Sequence, residues 1–458
     1  MRSPKWMIPV AVILQSAGLA VCIGALALGS AALAYVAAIY LFCVWLMEWV
    51  GWMAARRNLK EMPLLGCGAI VSSCSDVLPP ATIIAASRNQ ERLSETSLRS
   101  MFGMDYPDLE IVLVDDHSTD ATPQILDRLA REFAHLRVLH DPPSHPTLVK
   151  EPSQQCGTAA LGCVTGKNTG SSSLPNTAEG GCATFFHKLP ADKPNAYWYA
   201  AQHVSPDRAW LLFTNVDILF GPTVLRDAVL FAEREKLGFM TCFPHVEARS
   251  LLEDLLRSPI WSRLLASFQY GRLNNSDSQP LGISAFLLVR RNAYLAAGGH
   301  AAIMDDPSDA MALARLMKGS GAAVGVARAG DQLRSQEHFG FRELARDLVS
   351  RHRIACRDQY GSYASVALHT LVQSISPMPL ALACIAVQTA AARFSFSLTL
   401  LATAALAVYI QGVRSFSAVR TIVAQRPASP FLHPVSGVFG LALNCIAVMH
   451  RAFGKNLD

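Results

Sequence analysis

Residues 81–122 read ATIIAASRNQERLSETSLRSMFGMDYPDLEIVLVDDHSTDAT, and this stretch decides the fold class. Its first six residues form a short apolar run with β-branched side chains, which predicts a buried strand. The run EIVLV at 110–114 predicts a second strand, and residues 91–101 between the two predict a helix. Buried strands joined through a helix predict an α/β domain whose parallel sheet has right-handed crossovers.

The same alternation of strand and helix continues outward from this stretch. Asp120 is expected to cap the next helix, and Pro123 suits its first turn because proline is tolerated there. Short apolar runs further along the chain predict more strands of the same sheet. The predicted helices are 122–133, 196–203, 290–297 and 308–318, and the predicted strands are 137–140, 210–213 and 285–289.

Polar side chains follow three of the predicted strands at their carboxyl ends. Ser87 and Arg88 follow the first strand, Asp115 and Asp116 the second, and the sequence TNVD at 214–217 a later one. Ligands of α/β sheets bind beyond this edge, where a carboxylate can accept hydrogen bonds from a nucleoside or hold a divalent ion. The first strand is not followed by G-x-G-x-x-G, and the chain has no P-loop motif, which disfavours a dehydrogenase and a P-loop nucleotidase.

Residues 142–190 interrupt the pattern with a long segment rich in Gly, Ser, Thr and Pro. A loop of this length in a compact domain is either functional or an insertion. Three cysteines and a histidine cluster in it, but their spacing fits no common zinc pattern, so a metal site there is disfavoured. These residues are Cys156, Cys163, Cys182 and His187.

The composition points to an α/β domain between two apolar ends. The chain has 458 residues, a formal net charge of +5, 51% hydrophobic residues and 16% charged residues, whereas about 25% charged residues is usual in soluble domains. Residues 1–53 hold only three charged side chains, and residues 372–458 hold seven. This composition excludes a disordered chain and does not indicate a nucleic-acid partner.

The N-terminal end predicts a membrane hairpin. Residues 7–28 and 31–50 are apolar runs, and about 20 such residues span a bilayer. A cleaved signal peptide is the alternative for the first run, because Ala25-Leu26-Ala27 resembles a cleavage site. Basic residues flank both ends of the hairpin, which predicts that both ends face the cytoplasm. They are Arg2, Lys5, Arg56, Arg57 and Lys60.

The C-terminal end predicts further membrane segments at 376–392 and 394–411. A weaker run at 434–448 either spans or lies re-entrant or interfacial. Residues 346–374 have the basic amphipathic pattern of a helix on an anionic leaflet, or of an ordinary solvated helix. We therefore expect a multi-pass protein of the inner (plasma) membrane whose α/β domain is cytoplasmic. Its parts are a hairpin at 1–60, the α/β domain at 78–345, the interfacial region at 346–374 and membrane segments at 375–458.

Three blocks of the α/β domain resemble family 2 glycosyltransferases, which have the GT-A fold. They are the stretch at 81–122, WLLFTNVDILFGP at 210–222, and FLLVRRNAYLAAGGHAAIMDDPSDAMALARLMKGSG at 286–321. The resemblance covers about residues 78–345 in the right order and spacing. The apolar ends also resemble the membrane-anchored branch of the family that acts on lipids, including hopanoid- and carotenoid-associated transferases and, more distantly, ceramide glucosyltransferases.

The resemblance implies a nucleotide-sugar site at the strand ends. Ser87 and Arg88 would line the nucleotide pocket, and Asp116 or its neighbour Asp115 would hold the base. The alternative for the two aspartates is a purely structural role in capping the next helix.

The resemblance also implies a diphosphate and metal site. Lys193, 24 residues before Asp217, would lie by the diphosphate, and Lys167 in GKNTG is a rival for this role. Asp217 would coordinate Mg²⁺ or Mn²⁺, which neutralises charge on the leaving nucleoside diphosphate. The usual D-x-D of the family is here Asn215-Val216-Asp217, so one ligand keeps its oxygen but loses its charge.

The general base of an inverting transfer is expected in the third block. Asp309 matches the acidic motif best, and Asp306 and Asp305 are alternatives. The more commonly catalytic second acid of this motif is replaced by Ala310. His300, which follows two glycines, is either a loop residue or an acceptor contact.

We expect a membrane-bound inverting glycosyltransferase that transfers a single sugar from a nucleotide-sugar donor to a hydroxyl of a lipid or lipid-linked acceptor. The Q-x-x-R-W motif of processive polysaccharide synthases is missing, because residues 336–340 read QEHFG. A processive synthase is therefore the less favoured alternative. The third possibility is a catalytically impaired GT-A scaffold, which Asn215 and Ala310 favour.

Overall fold

The computed structural model describes residues 7–66, 78–90, 95–143, 193–248, 250–276, 278–306, 308–335, 341–356 and 360–453. The predictions for Lys167, for the cysteines and histidine of the 142–190 segment, and for the sequence QEHFG at 336–340 lie outside the described residues.

The described part of the chain alternates helices with short strands between two groups of long apolar helices. The strands are β1 Ala81–Ser87, β2 Leu109–Asp115, β3 Leu136–His140, β4 Trp210–Asn215, β5 Ile218–Phe220, β6 Phe239–Phe243, β7 His245–Glu247, β8 Leu287–Arg290, β9 Val324–Arg328, β10 Leu333–Ser335 and β11 Val423–Ala424. The helices are α1 Met7–Ala27, α2 Ala31–Glu61, α3 Glu95–Phe102, α4 Thr122–Glu132, α5 Lys193–His203, α6 Val224–Arg234, α7 Leu251–Ser267, α8 Arg291–Ala296, α9 Asp309–Gly319, α10 Phe341–Ala355, α11 Tyr360–Thr370, α12 Pro377–Ala390, α13 Phe396–Ala418 and α14 His433–Phe453.

Seven strands form the main sheet in the order β3-β2-β1-β4-β8-β6-β9. β1 lies parallel to both β2 and β4, as expected, whereas β8 runs antiparallel to β4 and β6. The sheet is therefore mixed rather than wholly parallel. The expected α/β fold class, with long apolar helices before and after the domain in the chain, is confirmed.

The core of the domain lies on both faces of the central strands. Ile83, Ile84, Trp210 and Phe213 have no exposed surface. Strands covered by helices on both faces read as continuous apolar runs, which is why the sequence indicated β1, β2 and β4 so clearly. Burying each of these large side chains contributes about 1.5–3 kcal/mol, so the central strands form a rigid base for the residues at their ends.

A second sheet ties the α/β domain to the C-terminal helices. Its order is β11-β7-β10-β5, and β11 lies in the connection between α13 and α14. Because neighbouring strands are about 4.8 Å apart, β5 lies about 14 Å from this connection. The buried Asp254 of α7 strengthens the junction, since its Oδ2 accepts hydrogen bonds from the Arg426 backbone N–H and the Ser429 hydroxyl.

The N-terminal helices are joined to the domain by Asn58 near the end of α2. Its amide nitrogen donates to the carbonyl oxygens of Leu265 and Phe268, and its Oδ1 accepts from the Tyr270 backbone N–H. Directly after α2, the Leu65 N–H donates to the Arg328 carbonyl at the edge strand β9. The carboxyl end of the hairpin is thus fixed to the α/β domain.

Four helices within the described residues are long and apolar enough to cross a membrane: α1, α2 and the helical segments Phe396–Thr421 and Ser429–Phe453. A fifth candidate is the pair Tyr360–Ile375 and Pro377–Ala390, which bends by 50° at its break. The weak apolar run at 434–448 therefore belongs to a helix of sufficient length. The predicted interfacial region at 346–374 is divided between α10, α11 and the π-helical turn Leu371–Ile375, and its second half belongs to the bent pair.

Candidate active site

The carboxyl ends of β2, β1 and β4 form one edge of the main sheet. In the strand register, Ser87 of β1 lies beside Asp115 of β2, and Ala86 lies beside Asn215 of β4. Three of the positions predicted to bind a nucleotide-sugar, Ser87, Asp115 and Asn215, thus lie at the ends of three adjacent strands. This edge is where ligands of open α/β sheets bind.

Asp116, Ser87 and Arg88 lie together at this edge. The Arg88 Nη1 is 3.9 Å from the Asp116 Oδ2, and the Asp116 carboxylate is almost wholly buried. The buried Ser87 hydroxyl has no hydrogen-bond partner in the described part of the chain. A buried carboxylate and a hydroxyl can together accept hydrogen bonds from the N–H or O–H groups of a nucleoside.

The turns after β1 and β2 hold each other in place. Asn89 and His117 both have positive φ angles, 51° and 55°. Asn89 accepts a hydrogen bond from the Thr119 backbone N–H at 2.7 Å, and its own N–H donates to Ser118 Oγ. Left-handed backbone at non-glycine residues costs about 1 kcal/mol or more and is common at binding sites. The reciprocal hydrogen bonds offset this cost.

Asp115 has different neighbours from Asp116. Its Oδ2 is 3.4 Å from His140 Nδ1, and His140 Nε2 is 2.9 Å from Asp127 Oδ1. Burial opposes protonation of His140, but its hydrogen bonds to Asp127 and Asp115 outweigh this effect and raise its pKa. The geometry therefore gives Asp115 a structural partner, and Asp116 is the aspartate of this pair that lies by Arg88.

Lys193 lies at the centre of the site. Its Nζ donates a hydrogen bond of 2.5 Å to Asn215 Oδ1 and is 3.8 Å from Asp309 Oδ2. Its ammonium group also lies over the Tyr197 ring, 5.3 Å from the centroid. All three polar side chains are buried. The three residues come from α5, β4 and α9, so the fold brings together predicted residues from two distant blocks of sequence.

Asp217 follows β4 in the turn before β5 and is half-buried. The residues near it do not form a metal site held by the protein alone. Asn215 Oδ1 already accepts from an ammonium group, and no group of three His, Cys, Asp or Glu side chains in the described ranges could hold a metal ion. A divalent cation held by Asp217 would therefore take its other oxygen ligands from water and from the diphosphate.

Asp309 is the first residue of α9, and its two carboxylate oxygens differ. Oδ1 accepts a hydrogen bond of 2.7 Å from the Ala310 N–H, whereas Oδ2 has Lys193 as an ionic neighbour and no hydrogen-bond donor in the described part of the chain. Gly282 allows the helix to lie this close, because a Cβ there would be 2.0 Å from the Ala310 carbonyl oxygen. A carboxylate oxygen without a donor is available to take a proton.

The alternatives to Asp309 have different surroundings. Asp306 accepts from the Ser308 N–H at 2.9 Å and forms an ion pair of 2.7 Å with Arg315. Asp305 is exposed. Ala310, at the position of the expected second acid, is buried in the first turn of α9. Of these positions, only Asp309 contacts Lys193 among the contacts that the structure describes.

His300 lies behind the Lys193–Asp309 pair. The Tyr294 hydroxyl accepts from the His300 backbone N–H at 3.1 Å and is also hydrogen-bonded to His300 Nδ1 at 2.9 Å. Burial, opposed by the Asp309 charge and assisted by the Lys193 charge, lowers the pKa of His300 to about 3. His300 is thus a neutral imidazole at physiological pH and packs against Phe213 and Tyr197.

Several residues of the site are not evident in the sequence. Tyr197 donates to the Thr214 carbonyl at 2.6 Å and stabilises the end of β4, while Asn215 Nδ2 donates to the Ser284 carbonyl at 3.1 Å. Burial, together with the Asp309 and Asp217 charges, raises the pKa of Tyr197. The sequence contains one indication of Tyr197, because the aromatic run YWY directly follows KPNA in α5.

Comparisons with known proteins agree with the first block of sequence. The profile of the family described as glycosyl transferase family 2 matches residues 82–144. A beta-monoglucosyldiacylglycerol synthase of Synechocystis sp. is 30% identical over 99 residues, which are 21% of each chain. Its counterpart in Nostoc sp. is 38% identical over 64 residues, or 14% of each chain. The chain therefore spans about a fifth or less of the length of the curated relatives that it matches.

Among solved structures, a mannosyltransferase from Pyrobaculum calidifontis, in complex with GDP-Man and Mn²⁺, is 16% identical with a TM-score of 0.43. That match covers 91% of this chain and all of the mannosyltransferase chain. A glucosyl-3-phosphoglycerate synthase from Mycobacterium tuberculosis is 14% identical with a TM-score of 0.34, covering 61% of this chain and 79% of its own.

The segment that matches the family profile contains β1, β2, β3 and the residues that follow them, which form one side of the site. Both curated relatives are named beta-monoglucosyldiacylglycerol synthase. On these findings, residues 82–144 of the chain are similar to glycosyl transferase family 2.

Proposed function

We propose that this chain is a membrane-bound inverting glycosyltransferase, which moves a single sugar from a nucleotide-sugar to a hydroxyl of a lipid or lipid-linked acceptor. The observation that carries the proposal is the arrangement of Lys193, Asn215 and Asp309 beside the strand ends that hold Ser87 and Asp116. It combines a nucleoside pocket, a buried cation for the diphosphate and a carboxylate that can accept a proton.

The nucleoside of the donor would bind at Ser87 and Asp116, with Arg88 at the rim. Its diphosphate would extend towards Lys193, whose ammonium group can balance phosphate charge. The mutual support of the turns after β1 and β2 keeps this pocket formed before the donor binds. A preformed pocket binds more tightly because little ordering remains to be done.

In the transfer step, the acceptor oxygen attacks the anomeric carbon of the sugar, and the bond from that carbon to the diphosphate oxygen breaks. The departing electron pair stays on the diphosphate, beside Lys193. Asp309 Oδ2 takes the proton of the acceptor hydroxyl, because this oxygen has no hydrogen-bond donor of its own in the described part of the chain. Attack on the side opposite to the leaving group inverts the configuration at the anomeric carbon.

The divalent cation predicted from the resemblance would have Asp217 as its ligand from the protein. A cation of this kind supplies charge neutralisation for the leaving diphosphate. No step above depends on this cation.

The second sheet supports a lipid acceptor. It leads from β5, directly after Asp217, to β11 in the connection between α13 and α14, over about 14 Å. The carboxyl end of the membrane hairpin is fixed to the same domain through Asn58. The Synechocystis and Nostoc relatives bear names that give a glucosylated diacylglycerol as product. These facts favour an acceptor delivered from the membrane surface.

The basic residues at the helix ends support a cytoplasmic position for the domain in a multi-pass inner-membrane protein. Arg56 lies over the Trp52 ring at 4.8 Å, and Arg414 of α13 approaches the same ring at 6.0 Å. Tryptophan and arginine at one level of two membrane helices are typical of the interface on the cytoplasmic side. Nucleotide-sugars are made in that compartment.

A transfer assay with the full chain in lipid nanodiscs tests the proposal. The purified protein is incubated with radiolabelled nucleotide-sugars one at a time and a bacterial lipid extract, and label in the organic phase is counted. We expect one donor to label the lipid fraction with wild-type protein and not with Asp309→Asn. If no donor labels lipid and no nucleoside diphosphate binds, the chain is a non-catalytic scaffold and the proposal is wrong.

A further inference from the structure

Gln411 has a buried amide group that the described fold does not use. It lies in α13, one of the helices that are long and apolar enough to cross a membrane. The residue has no exposed surface, and neither its Oε1 nor its Nε2 has a hydrogen-bond partner among the residues that the structure describes. An unpartnered polar group costs free energy when it is buried, and polar side chains kept inside membrane helices are therefore candidates for binding sites.

The buried apolar cluster of the membrane helices is followed by polar side chains. Residues of α2, α13 and the π-helical turn contribute to this cluster, and each of these elements has a polar residue directly after a cluster member. The polar residues are Glu48, four residues after Val44, Gln411, three residues after Val408, and Gln373, next to Val372. Residues three or four apart lie on the same face of a helix, so Glu48 and Gln411 continue the faces that the cluster buries.

Arg263 of α7 joins these polar residues to the α/β domain. The Arg263 charge and a hydrogen bond with the Gln373 side chain both stabilise the Glu48 carboxylate. Ser262, next to Arg263, donates to the Ser415 carbonyl of α13 at 3.2 Å, so α7 lies against the same part of α13 as Gln411. The polar layer consists of Glu48, Gln373, Gln411 and Arg263.

The polar layer lies just inside the expected membrane interface. Arg414 of α13 approaches the Trp52 ring of α2 at 6.0 Å. Gln411 and Glu48 precede these two residues by three and four positions, which is about 4.5–6 Å along a helix. Tryptophan lies at the head-group level of a bilayer, so the polar layer lies where lipid head groups meet the hydrocarbon.

One side of the polar layer is accessible. Arg263 is exposed, and Glu48 and Gln373 are partly exposed, whereas Gln411 is at the closed end of the layer. The π-helical turn that contains Gln373 lies directly before the 50° break of the bent helix pair. Such turns occur mostly at functional sites. A head group can therefore approach past Arg263 and Glu48.

The chemistry of the polar layer favours hydroxyl groups over a phosphate. The amide of Gln411 offers donor hydrogens on Nε2 and an acceptor on Oε1, and hydroxyl groups can serve both because they donate and accept. The oxygens of an ionised phosphate only accept, so they would leave Oε1 without a donor. Within the layer, the positive charge of Arg263 faces the negative charge of Glu48, so the pair adds no net charge that would hold an anion.

We propose that the polar layer binds the head group of the acceptor, a neutral lipid with hydroxyl groups, and that Gln411 forms hydrogen bonds with those hydroxyls. This inference rests on the proposed function, because it takes the bound lipid to be the sugar acceptor. No bond forms or breaks at the polar layer. The layer holds the head group as the lipid moves from the bilayer towards the α/β domain.

Two lipid fractions test the class of acceptor with the wild-type chain. A bacterial lipid extract is separated by anion exchange into a neutral and an acidic fraction, and each fraction is added to the full chain in phosphatidylcholine nanodiscs with radiolabelled nucleotide-sugars. We expect label to enter the neutral fraction at least about tenfold faster than the acidic one. Transfer to the acidic fraction at an equal or higher rate would overturn the inference, while the proposed function would stand.

Gln411→Leu tests the role of the amide. The substitution keeps an unbranched reach of similar size and removes both hydrogen-bonding atoms, so the half-saturating amount of neutral lipid should rise by about tenfold or more. The maximal rate and the KM of the donor should stay within about threefold of wild type, because the sugar-transfer site is unchanged. The variant should melt at or above the wild-type temperature, since an unpartnered buried amide is removed.

Gln15→Leu is the matched control. It makes the same substitution in α1, at a partly exposed glutamine outside the polar layer. It should leave the half-saturating amount of neutral lipid unchanged.

The outcomes separate the inference from the proposed function. If neither fraction is labelled with any donor, the proposed function fails and the inference fails with it. If lipid is labelled and folded Gln411→Leu has the half-saturation of wild type, or melts below wild type, only the inference is overturned. The comparison of the two fractions uses no variant, so it still decides the matter if Gln411→Leu does not fold.

Discussion

Replacing Asp309 by asparagine separates the roles of the two candidate bases. The substitution keeps the shape of the side chain and the oxygen that accepts from the Ala310 N–H at 2.7 Å. It removes the ability of Oδ2 to take a proton from the acceptor. A general base contributes about 10²- to 10⁴-fold to rate, which is about 3–5 kcal/mol of transition-state stabilisation. We expect kcat to fall by at least 100-fold, as the lower bound of about 10² suggests.

Asp306→Asn is the matched control. Its Oδ1 can still accept from the Ser308 N–H, and the lost ion pair with Arg315 joins two partly exposed side chains. Such pairs contribute about 0.2–1 kcal/mol, so activity should stay within about fivefold of wild type. Each variant removes one negative charge from the wild-type chain, and the two positions are three residues apart.

The stability of both variants must be measured beside their activity. Lys193 and Asp309 are 3.8 Å apart, and at an effective dielectric constant of about 20 their attraction is about 4 kcal/mol. Asp309→Asn removes part of this, so thermal unfolding in detergent should confirm that the variant is folded at the assay temperature. Asp309 is not the general base if folded Asp309→Asn retains more than a tenth of wild-type kcat, or if Asp306→Asn is the more impaired of the two.

Three further perturbations test the structure around the site. Gly282→Ala should lower activity at least about tenfold and stability by about 1–3 kcal/mol, because its Cβ would be 2.0 Å from the Ala310 carbonyl oxygen. The control is Gly319→Ala at the end of α9, the helix that contains Ala310, because the space around Gly319 is open. It should behave like wild type in the same kinetic and melting assays. Asp254→Ala should lower the free energy of unfolding by about 2–3 kcal/mol, since it removes the acceptor of Arg426 and Ser429; the same melting temperature as wild type in a detergent melt would contradict this. The pKa of His140 is raised in the folded chain, so its pairs with Asp127 and Asp115 stabilise the fold below the ordinary pKa of about 6.5, and this contribution disappears as pH rises through the folded pKa. His140→Gln should therefore lose more stability relative to wild type at about pH 5.5 than at about pH 8.5, where the loss should be small. The loss at about pH 5.5 should stay below about 1 kcal/mol because the pair is partly exposed. An equal loss at both pH values in denaturant titrations would count against this prediction.

The sequence predicted the strands that carry the site because each is buried on both faces. β1, β2 and β4 read as continuous apolar runs ending in polar residues, and their register then places those residues at one edge. β6 and β9 were missed because FMTCF and VGVAR are only five residues long, too short to distinguish them from other apolar stretches. The antiparallel direction of β8 depends on how the chain returns to the sheet, which its own residues do not encode.

The contacts of the site depended on tertiary structure in a way that the sequence could not show. The family resemblance placed Lys193 by the diphosphate, but its ionic neighbour Asp309 on α9 lies more than 100 residues away along the chain. The orientation of Asn215 is decided by a carbonyl at Ser284, and that of His300 by a hydroxyl at Tyr294. The second sheet was not predicted because its strands are only two or three residues long and pair across large separations.

The mass of the lipid product tests the central claim most directly. Wild type, Asp309→Asn and Asp306→Asn are incubated in nanodiscs with the active nucleotide-sugar and lipid, and the extracted lipids are analysed by mass spectrometry. We predict one lipid species heavier by a single sugar residue with wild type and Asp306→Asn, and none with Asp309→Asn. A ladder of products with several sugars, or an unchanged lipid profile although the donor is bound, would contradict the account.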